Sequence, residues 1–476
     1  MRLSLIVCVA AAVGLCGAAE GRPPNVVILY ADDMGIGDVG CYGCNDIRTP
    51  NIDALAKSGV RFSNYYSAAP VCSPSRAALL TGRYPIRAGV PTNCPSQPGS
   101  AGMPAGEVTL AELAKTRGYA TALIGKWHLG FSDETRPNAQ GFDYFFGHHC
   151  GCIDYYSHMF YWQEPHHHDL YRNRDEIHEE GQYMTDLIAR EATRFIDEHR
   201  ASPFLLYVAF NAPHYPMQAP ERFRRMYENL PPQRAIYAAM VACMDDAIGR
   251  ILERLRRNGL ERDTLVFFAS DNGATTEARG NYGGGSNAPY RGHKFSVFEG
   301  GIRMPGIVAW PGTLPAGQVR EQLVCAIDVW PTVAEIIDAA VLADRITDGM
   351  SWIPLLKNPA VPGHDALFWM QGGQRAVRRG KWKLVLDGND FDPAPKQAIP
   401  RAGRRGAGRE TPEAVSCTLP ATRDPAVPVF LADLEADPGE TRNLCERHPQ
   451  VVDELTRRHD RWRIEVTGTR SGTPAR

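Results

Sequence analysis

The sequence predicts an α/β protein with one large domain and a smaller companion. The chain has 476 residues, which is too long for a single small core. Three apolar runs have the length and composition of strands buried on both faces, as in a parallel sheet; they lie at residues 25–30, 204–210 and 264–269. Amphipathic patterns between and around these runs predict helices, at residues 109–117, 183–198 and 236–258.

The composition changes near residues 360–367, and we place the domain boundary there. Short strand-like runs follow the boundary, at residues 367–370, 375–377 and 382–386. A Pro- and Arg-rich insert covers residues 387–427, and a helical pattern begins at residue 449. We therefore assign residues 20–365 to the large domain and residues 366–476 to the small one.

The N-terminus predicts an export signal at residues 1–19. Met1 and Arg2 precede an apolar run at residues 3–15, and small residues offer a cleavage site before Glu20. The run is too short to span a bilayer, and no later apolar stretch is long enough. We expect a periplasmic or secreted protein, and we rank a lipoprotein anchored through Cys16 below it because Leu15 is large for that signal.

Overall charge gives no reason to expect a nucleic-acid or membrane partner. Lys and Arg total 52 against 54 Asp and Glu, so an anionic substrate must be captured by a local basic site. The two closely spaced cysteine pairs, Cys41 with Cys44 and Cys150 with Cys152, lack a second pair at zinc-site spacing. In an oxidising compartment we therefore expect local or long-range disulfides.

The run from Cys72 to Gly82 predicts a helix with a reactive residue at its start. Pro74 suits a first helical turn, Arg76 follows, and an apolar run ends at Gly82. Backbone N–H groups and the helix dipole favour negative charge at a helix N-terminus. Taken alone, the pattern therefore predicts a thiolate of low pKa or an anion site at Cys72.

Oxygen ligands follow two of the buried strands. Asp32 and Asp33 end the first strand, and Asp271 and Asn272 end the strand at residues 264–269. Ligands of α/β sheets bind at the carboxyl ends of strands, and adjacent carboxylates repel unless a cation lies between them. An all-oxygen set favours Ca²⁺ or Mg²⁺ over Zn²⁺.

Cations and imidazoles come at similar positions. Lys126 and His128 follow the strand at residues 119–124, where alternation would aim both at one side, and His214 follows the strand at residues 204–210. Lys294 follows a glycine-rich loop that lacks the spacing of a phosphate-binding loop. Three consecutive imidazoles at residues 166–168 cannot all face one ion, so we favour an exposed loop over a transition-metal site there.

In this order, the motifs Cys-Ser-Pro-Ser-Arg with its Leu-Thr-Gly tail, Gly-Lys-Trp-His-Leu-Gly, Ala-Pro-His and Ser-Asp-Asn-Gly resemble the formylglycine-dependent (type I) sulfatases. The resemblance runs from about residue 24 to residue 443 and is closest to arylsulfatases and N-acetylgalactosamine sulfatases. It implies an alkaline-phosphatase-like sandwich, with a large mixed central sheet flanked by helices and a small C-terminal antiparallel sheet. It also implies a sulfuric ester hydrolase that uses Ca²⁺, with Mg²⁺ as an alternative.

The resemblance further implies the site. A formylglycine-generating enzyme would oxidise Cys72 to an aldehyde whose hydrate is the nucleophile. The implied metal ligands are Asp32, Asp33, Cys72, Asp271 and Asn272. In the implied chemistry Arg76, Lys126 and Lys294 hold the sulfate and the nucleophile, His214 protonates the leaving oxygen, and His128 deprotonates the second hydroxyl to release sulfate.

The substrate is predicted from a polar aromatic loop. Asp154, Tyr155 and His158 lie in a segment that resembles galactosamine sulfatases, so we expect a sulfated galactose or N-acetylgalactosamine substrate. A general arylsulfatase acting on aryl sulfates is one alternative, and a phosphonate or phosphodiester hydrolase of the same superfamily is another. The non-enzyme alternative is a secreted glycan-binding protein with an unconverted Cys72.

Overall fold

The computed structural model describes residues 22–275, 283–340, 344–390 and 427–468. The strands are β1 (Asn25–Ala31), β2 (Val60–Phe62), β3 (Tyr65–Tyr66), β4 (Ala120–Lys126), β5 (Tyr144–His148), β6 (Met159–Phe160), β7 (His167–His168), β8 (Tyr171–Arg172), β9 (Asp175–Glu176), β10 (Phe204–Ala209), β11 (Thr264–Ser270), β12 (Gly306–Ala309), β13 (Gln318–Arg320), β14 (Val324–Cys325), β15 (Ala366–Gln371), β16 (Gln374–Arg379), β17 (Trp382–Gly388) and β18 (Val427–Asp433). The helices are α1 (Pro50–Ser58), α2 (Cys72–Thr81), α3 (Leu110–Lys115), α4 (Met184–Glu198), α5 (Glu221–Arg224), α6 (Pro232–Arg257), α7 (Glu299–Ile302), α8 (Val329–Ile336), α9 (Ile353–Lys357) and α10 (Pro449–Thr467). The predicted signal at residues 1–19 and most of the predicted insert lie outside the described residues.

A mixed sheet of ten strands forms the centre of the molecule, in the order β13-β2-β12-β11-β1-β10-β4-β5-β8-β9. Its five middle strands, β11 to β5, run parallel, whereas β12 and β8 join them antiparallel. The three apolar runs of the sequence are β1, β10 and β11, and every residue of these strands is buried. The predicted large mixed sheet is confirmed.

Helices cover both faces of this sheet. Val27 and Leu29 of β1 pack in one hydrophobic cluster with residues of α4 and α6. Val26 and Ile28 point to the opposite face, where they pack in a second cluster with residues of α2, α3 and α8. Because successive strand residues point to opposite faces, β1 contributes to both cores. The central sheet is therefore buried between two helical layers.

A second, antiparallel sheet has four strands in the order β15-β16-β17-β18 and begins at Ala366. Buried residues on both sides of this point share one hydrophobic cluster, including Tyr66 and Trp369, whose rings lie 5.2 Å apart. Lys383 on β17 is fully buried, with its Nζ 2.9 Å from Glu299 of α7 and 3.0 Å from Glu440. The small sheet is thus joined to the large one by apolar contacts and a buried ion pair, and the division at residue 366 stays a prediction.

The expected disulfides are wrong for three cysteines of the two pairs. Cys41, Cys44 and Cys150 are free thiols. Cys44 contacts Asp46, and Cys150 donates to the carbonyl of Ser96 at 2.8 Å. In the described ranges, no helix is both long and apolar enough to cross a membrane.

Candidate active site

The carboxyl ends of four neighbouring strands bring the predicted site residues together. In the parallel register Ala31 of β1 pairs with Ser270 of β11, so Asp32 and Asp271 follow at adjacent positions. On the other side of β1, Tyr30 pairs with Ala209 of β10, and Ala209 pairs with Gly125 of β4. His214 and Lys126 therefore reach the same edge, which is where α/β sheets bind ligands.

Helix α2 adds Cys72 and Arg76 to this edge. The helix begins at Cys72 and ends before Gly82, whose φ of 68° is the left-handed conformation that glycine favours at a helix end. The Cys72 thiol points to Asp32, with Sγ 3.7 Å from Oδ1. Burial raises the pKa of this thiol to about 12, although Lys126 and Lys294 oppose the shift. The expected low-pKa thiolate is therefore wrong, since burial outweighs the helix N-terminus.

Three buried cations face three buried carboxylates. Lys126 Nζ lies 2.8 Å from Asp32, and Lys294 Nζ lies 2.8 Å from Asp33. Arg76 contacts Asp32 at 3.1 Å and Asp271 at 2.8 Å. A buried ion is costly unless it is paired, so each of these groups depends on its partners for its charged state.

The carboxylates differ in their proton affinity. Burial alone would raise the pKa of Asp32, but Lys126, His214 and Arg76 together hold it well below its ordinary value. Burial raises the pKa of Asp271 to about 7, because Arg76 only partly offsets burial and the charge of Asp32 raises it further. A cation beside these carboxylates would favour the ionised form of Asp271.

The donor set of this edge fits a hard divalent cation. The side chains of Asp32, Asp33, Asp271 and Asn272 are all buried, and each can offer an oxygen ligand. Asn272 donates from Nδ2 to Asp33 at 2.8 Å, whereas its Oδ1 is buried without a hydrogen-bond partner. Ligand atoms of Asp32, Asp33, Cys72 and His214 lie within 4.8 Å of one another. The oxygen atoms of Asp32, Asp33, Asp271 and Asn272 could hold Ca²⁺ or Mg²⁺ beside Cys72.

Two imidazoles flank the charged cluster. His214 has its Nε2 3.1 Å from Lys294 Nζ, and burial followed by the charge of Lys294 lowers the pKa of His214 to about 4. Burial, with Lys126 and Arg76, also lowers the pKa of His128 well below its ordinary value. Both side chains are thus neutral at neutral pH in the free site. A Cβ on Gly151 would lie 2.7 Å from the His128 ring, so the absence of a side chain there makes room for the imidazole.

All three predicted substrate residues make contacts within the protein, and two of them are fully buried. Tyr155 is fully buried, stacks on Tyr183 at 5.0 Å, and donates from its hydroxyl to the carbonyls of Asn211 and His214. Asp154 accepts N–H groups of its own loop, and His158 is fully buried with Nε2 near the carbonyl of Gln182. The expectation that Tyr155 and His158 contact a sugar is therefore wrong, because both side chains are fully buried, whereas Asp154 is partly exposed and its role stays a prediction.

Two aromatic residues that the sequence analysis did not identify, Tyr215 and Trp162, lie next to the site. Tyr215 lies 4.0 Å from the His214 ring, and Lys294 Nζ lies 5.6 Å from the Tyr215 ring centre. Trp162 lies 5.2 Å from Tyr215, and both rings are partly exposed. The position of Tyr215 directly after His214 could have indicated it. Trp162 is 53 residues earlier in the sequence, so only the fold shows that the two meet.

Comparisons with known proteins find similar sequences and similar structures. The sulfatase family profile matches residues 24–339. The chain is 33% identical to human arylsulfatase D, over 90% of this chain and 83% of the relative, and 37% identical to mouse N-acetylgalactosamine-6-sulfatase, over 79% and 75%. A crystal structure of Ps i-CgsB in complex with k-i-k-neocarrahexaose is 31% identical, has a TM-score of 0.77 and covers 93% of each chain. The sandwich fold expected from the sequence is thereby confirmed.

Calcium binding is the first test of the charged cluster. We expect saturating Ca²⁺, at about a hundred times its Kd, to stabilise the chelator-treated protein by about 2.7 kcal/mol, because the ion binds only the folded state. The measurement is the melting temperature with and without the ion. Asn272→Ala removes one ligand oxygen and should weaken the effect; an equal rise in wild type and variant would place calcium elsewhere.

Proposed function

Since this chain belongs to the sulfatase family and is a sulfuric ester hydrolase, we propose that it removes sulfate from galactose or N-acetylgalactosamine units of sulfated glycans. The observation that carries the chemical part of the proposal is the position of Cys72. Its Sγ lies 3.7 Å from Asp32, within the cluster of Arg76, Lys126 and Lys294. The reaction replaces the ester by an alcohol and inorganic sulfate, with one water consumed.

The nucleophile in this proposal is formed from Cys72 by oxidation. A thiolate is a poor choice at this position, because burial raises the pKa of the Cys72 thiol to about 12. An aldehyde carries no charge and is free of this cost. We propose that a formylglycine-generating enzyme makes the conversion, and that Ca²⁺, or Mg²⁺, binds at Asp32, Asp33, Asp271 and Asn272 next to residue 72.

When both are in place, the aldehyde hydrate supplies the nucleophilic hydroxyl and the cation supplies positive charge beside the sulfate. Arg76, Lys126 and Lys294 orient the nucleophile and the sulfate oxygens through their ammonium and guanidinium groups. His214 donates a proton to the leaving oxygen, and the negative charge of bound sulfate favours its protonated form. His128, which is neutral in the free site, accepts the proton that accompanies release of sulfate.

The proposed glycan preference rests on the aromatic residues and on the relatives. Tyr215 and Trp162 form a partly exposed path that leads away from His214. Aromatic side chains of this kind present apolar faces to a ring while their polar atoms stay in water. One similar protein is named an N-acetylgalactosamine-6-sulfatase, and a similar structure contains k-i-k-neocarrahexaose. Export to the periplasm or the medium would place the protein where such polymers occur.

Conversion of Cys72 has a direct measurement. We expect the peptide that contains Cys72, from protein made in its native host, to have a mass about 18 Da below that of the cysteine form. The mass falls because an aldehyde group replaces the CH₂SH group of the side chain. Mass spectrometry measures this difference. Cys72→Ala should be inactive. An active preparation in which every copy carries an unmodified cysteine would contradict the proposal.

The two histidines should fail in different ways. His214→Ala should lose most activity on alkyl sulfates but retain it on nitrophenyl sulfate, whose leaving group needs little protonation. His128→Ala should release about one alcohol per site and then stop, since release of sulfate depends on the missing base. Rapid-mixing kinetics separate the two patterns. If His214→Ala is equally slow on both substrates, the assignment of the acid is wrong.

The glycan preference is tested at Trp162. We expect Trp162→Ala to lower kcat/KM on a sulfated galactosaminide about tenfold, or about 1.4 kcal/mol, while nitrophenyl sulfate hydrolysis is unchanged. Trp310→Ala is the matched control, because Trp310 lies at the other edge of the sheet. The preceding residue, Ala309, pairs with Val266 near the start of β11, whereas the site is at the end of β11.

Other outcomes select other activities. Equal loss on both substrates would mean that Trp162 only packs. An aryl sulfate preferred by the wild type would make the protein a general arylsulfatase. Faster turnover of phosphate or phosphonate esters than of sulfate esters would favour the phosphorus alternative.

A further inference from the structure

The histidine run at residues 166–168 sends its side chains to different places. Strand β7 contains His167 and His168 and pairs with β6, so their side chains leave opposite faces. His167 packs against Phe160, at 5.1 Å, and lies 3.3 Å from the Cys150 sulfur. His168 instead stacks on His178 at 4.6 Å. The three consecutive imidazoles therefore do not face one ion, as the sequence predicts. His168 and His178 are not consecutive, and their rings do lie together.

We propose that His168, His178 and Glu180, here called the histidine cluster, bind a transition-metal dication of the Zn²⁺ class. One ligand atom from each of the three residues lies within 4.8 Å of those of the other two. Zinc bonds to nitrogen and oxygen are about 2.0–2.2 Å long, so ligand atoms of a tetrahedral ion lie roughly 3.3–3.6 Å apart. Glu180 Oε1 lies 2.8 Å from His178 Nδ1 and 3.8 Å from His168 Nε2, so one distance is below this range and the other is above it.

The orientation of His168 is the main support. Its Nδ1 lies 2.9 Å from Glu176 Oε1, which places the ring proton on Nδ1 and leaves the lone pair on Nε2. The side chain is 10% exposed, and Nε2 is buried without a hydrogen-bond partner. Glu180 Oε1 lies 3.8 Å from Nε2, which is too long for a hydrogen bond.

This arrangement is the one that metal-binding histidines use. A carboxylate commonly holds one ring nitrogen so that the other nitrogen points to the metal. Glu176 is in that position, and an ion between His168 Nε2 and Glu180 would satisfy the otherwise unpartnered nitrogen. His178 and Glu180 have 64% and 52% of their side chains exposed, so they can turn toward the ion, and water can fill a fourth position.

The donor types select the metal. Two imidazoles and a carboxylate suit Zn²⁺, Cu²⁺ or Ni²⁺, whereas the all-oxygen set at Asp32 and Asp271 suits Ca²⁺. The two sites should therefore be distinguishable by the ion that they prefer.

The neighbouring group of Cys150, His167 and Asp169 is a weaker candidate. Asp169 already accepts the N–H groups of His149 and Cys150, and the Cys150 thiol donates to Ser96. Its ligands are therefore satisfied without an ion.

The test is calorimetric titration of ZnCl₂ into the full chain without a polyhistidine tag. The protein is first treated with chelator and then kept in excess Ca²⁺. We expect one Zn²⁺ per chain. His168→Gln and Glu180→Gln should weaken binding at least about tenfold, because each removes a ligand. His166→Gln and His167→Gln are matched controls that should bind as the wild type does.

Cobalt absorption provides a second readout, since Co²⁺ in a tetrahedral nitrogen and oxygen site gives visible bands that His168→Gln should abolish. Glu180 is largely exposed, so Glu180→Gln should fold even if His168→Gln does not. The absence of Zn²⁺ binding in the wild type, unchanged binding in Glu180→Gln, or loss in His167→Gln instead would overturn the proposal, and the last result would assign the ion to Cys150 and Asp169.

Discussion

The site depends on the mutual neutralisation of charges that the fold has removed from water. Asp32 illustrates this dependence, because Lys126 and Arg76 both contact it and Arg76 also contacts Asp271. Burying a charge costs several kcal/mol unless a partner compensates it. The compensating charges come from different elements: the parallel register of β11, β1, β10 and β4 brings Asp271, Asp32 and Lys126 to one edge, and α2 adds Arg76. The chemistry is in this sense a property of the strand order.

Much of this edge could be predicted from sequence because the relevant signals are local. Three apolar runs identified β1, β10 and β11, and polar residues soon after the end of each run identified Asp32, Asp271 and His214. The strand bounds differ from the predicted ones by a single residue at one end. The helix at Cys72 was equally clear, since Pro74 and Gly82 mark its two ends.

The errors concern burial, which depends on parts of the chain distant in sequence. A helix N-terminus favours a thiolate at Cys72, yet the enclosing strands remove that position from water and reverse the expected pKa shift. The loop that contains Tyr155 has the composition of a ligand-binding loop, but the ring of Tyr183, the residue just before α4, stacks on the ring of Tyr155. The cysteine spacings likewise gave no information on whether the thiols meet. For these residues the local sequence pattern was interpreted correctly, but the burial imposed by distant parts of the chain was not predicted.

The buried pair between the two sheets also bears on how such proteins can diversify. Lys383 belongs to β17, whereas Glu299 belongs to α7 beside the central sheet, and both side chains are completely enclosed. A small sheet taken from another protein would leave Glu299 short of one partner unless it brought a cation at the equivalent place. An unrelated sheet could therefore not simply replace the C-terminal sheet, because the charges on its inner face must complement those of the sheet that it covers.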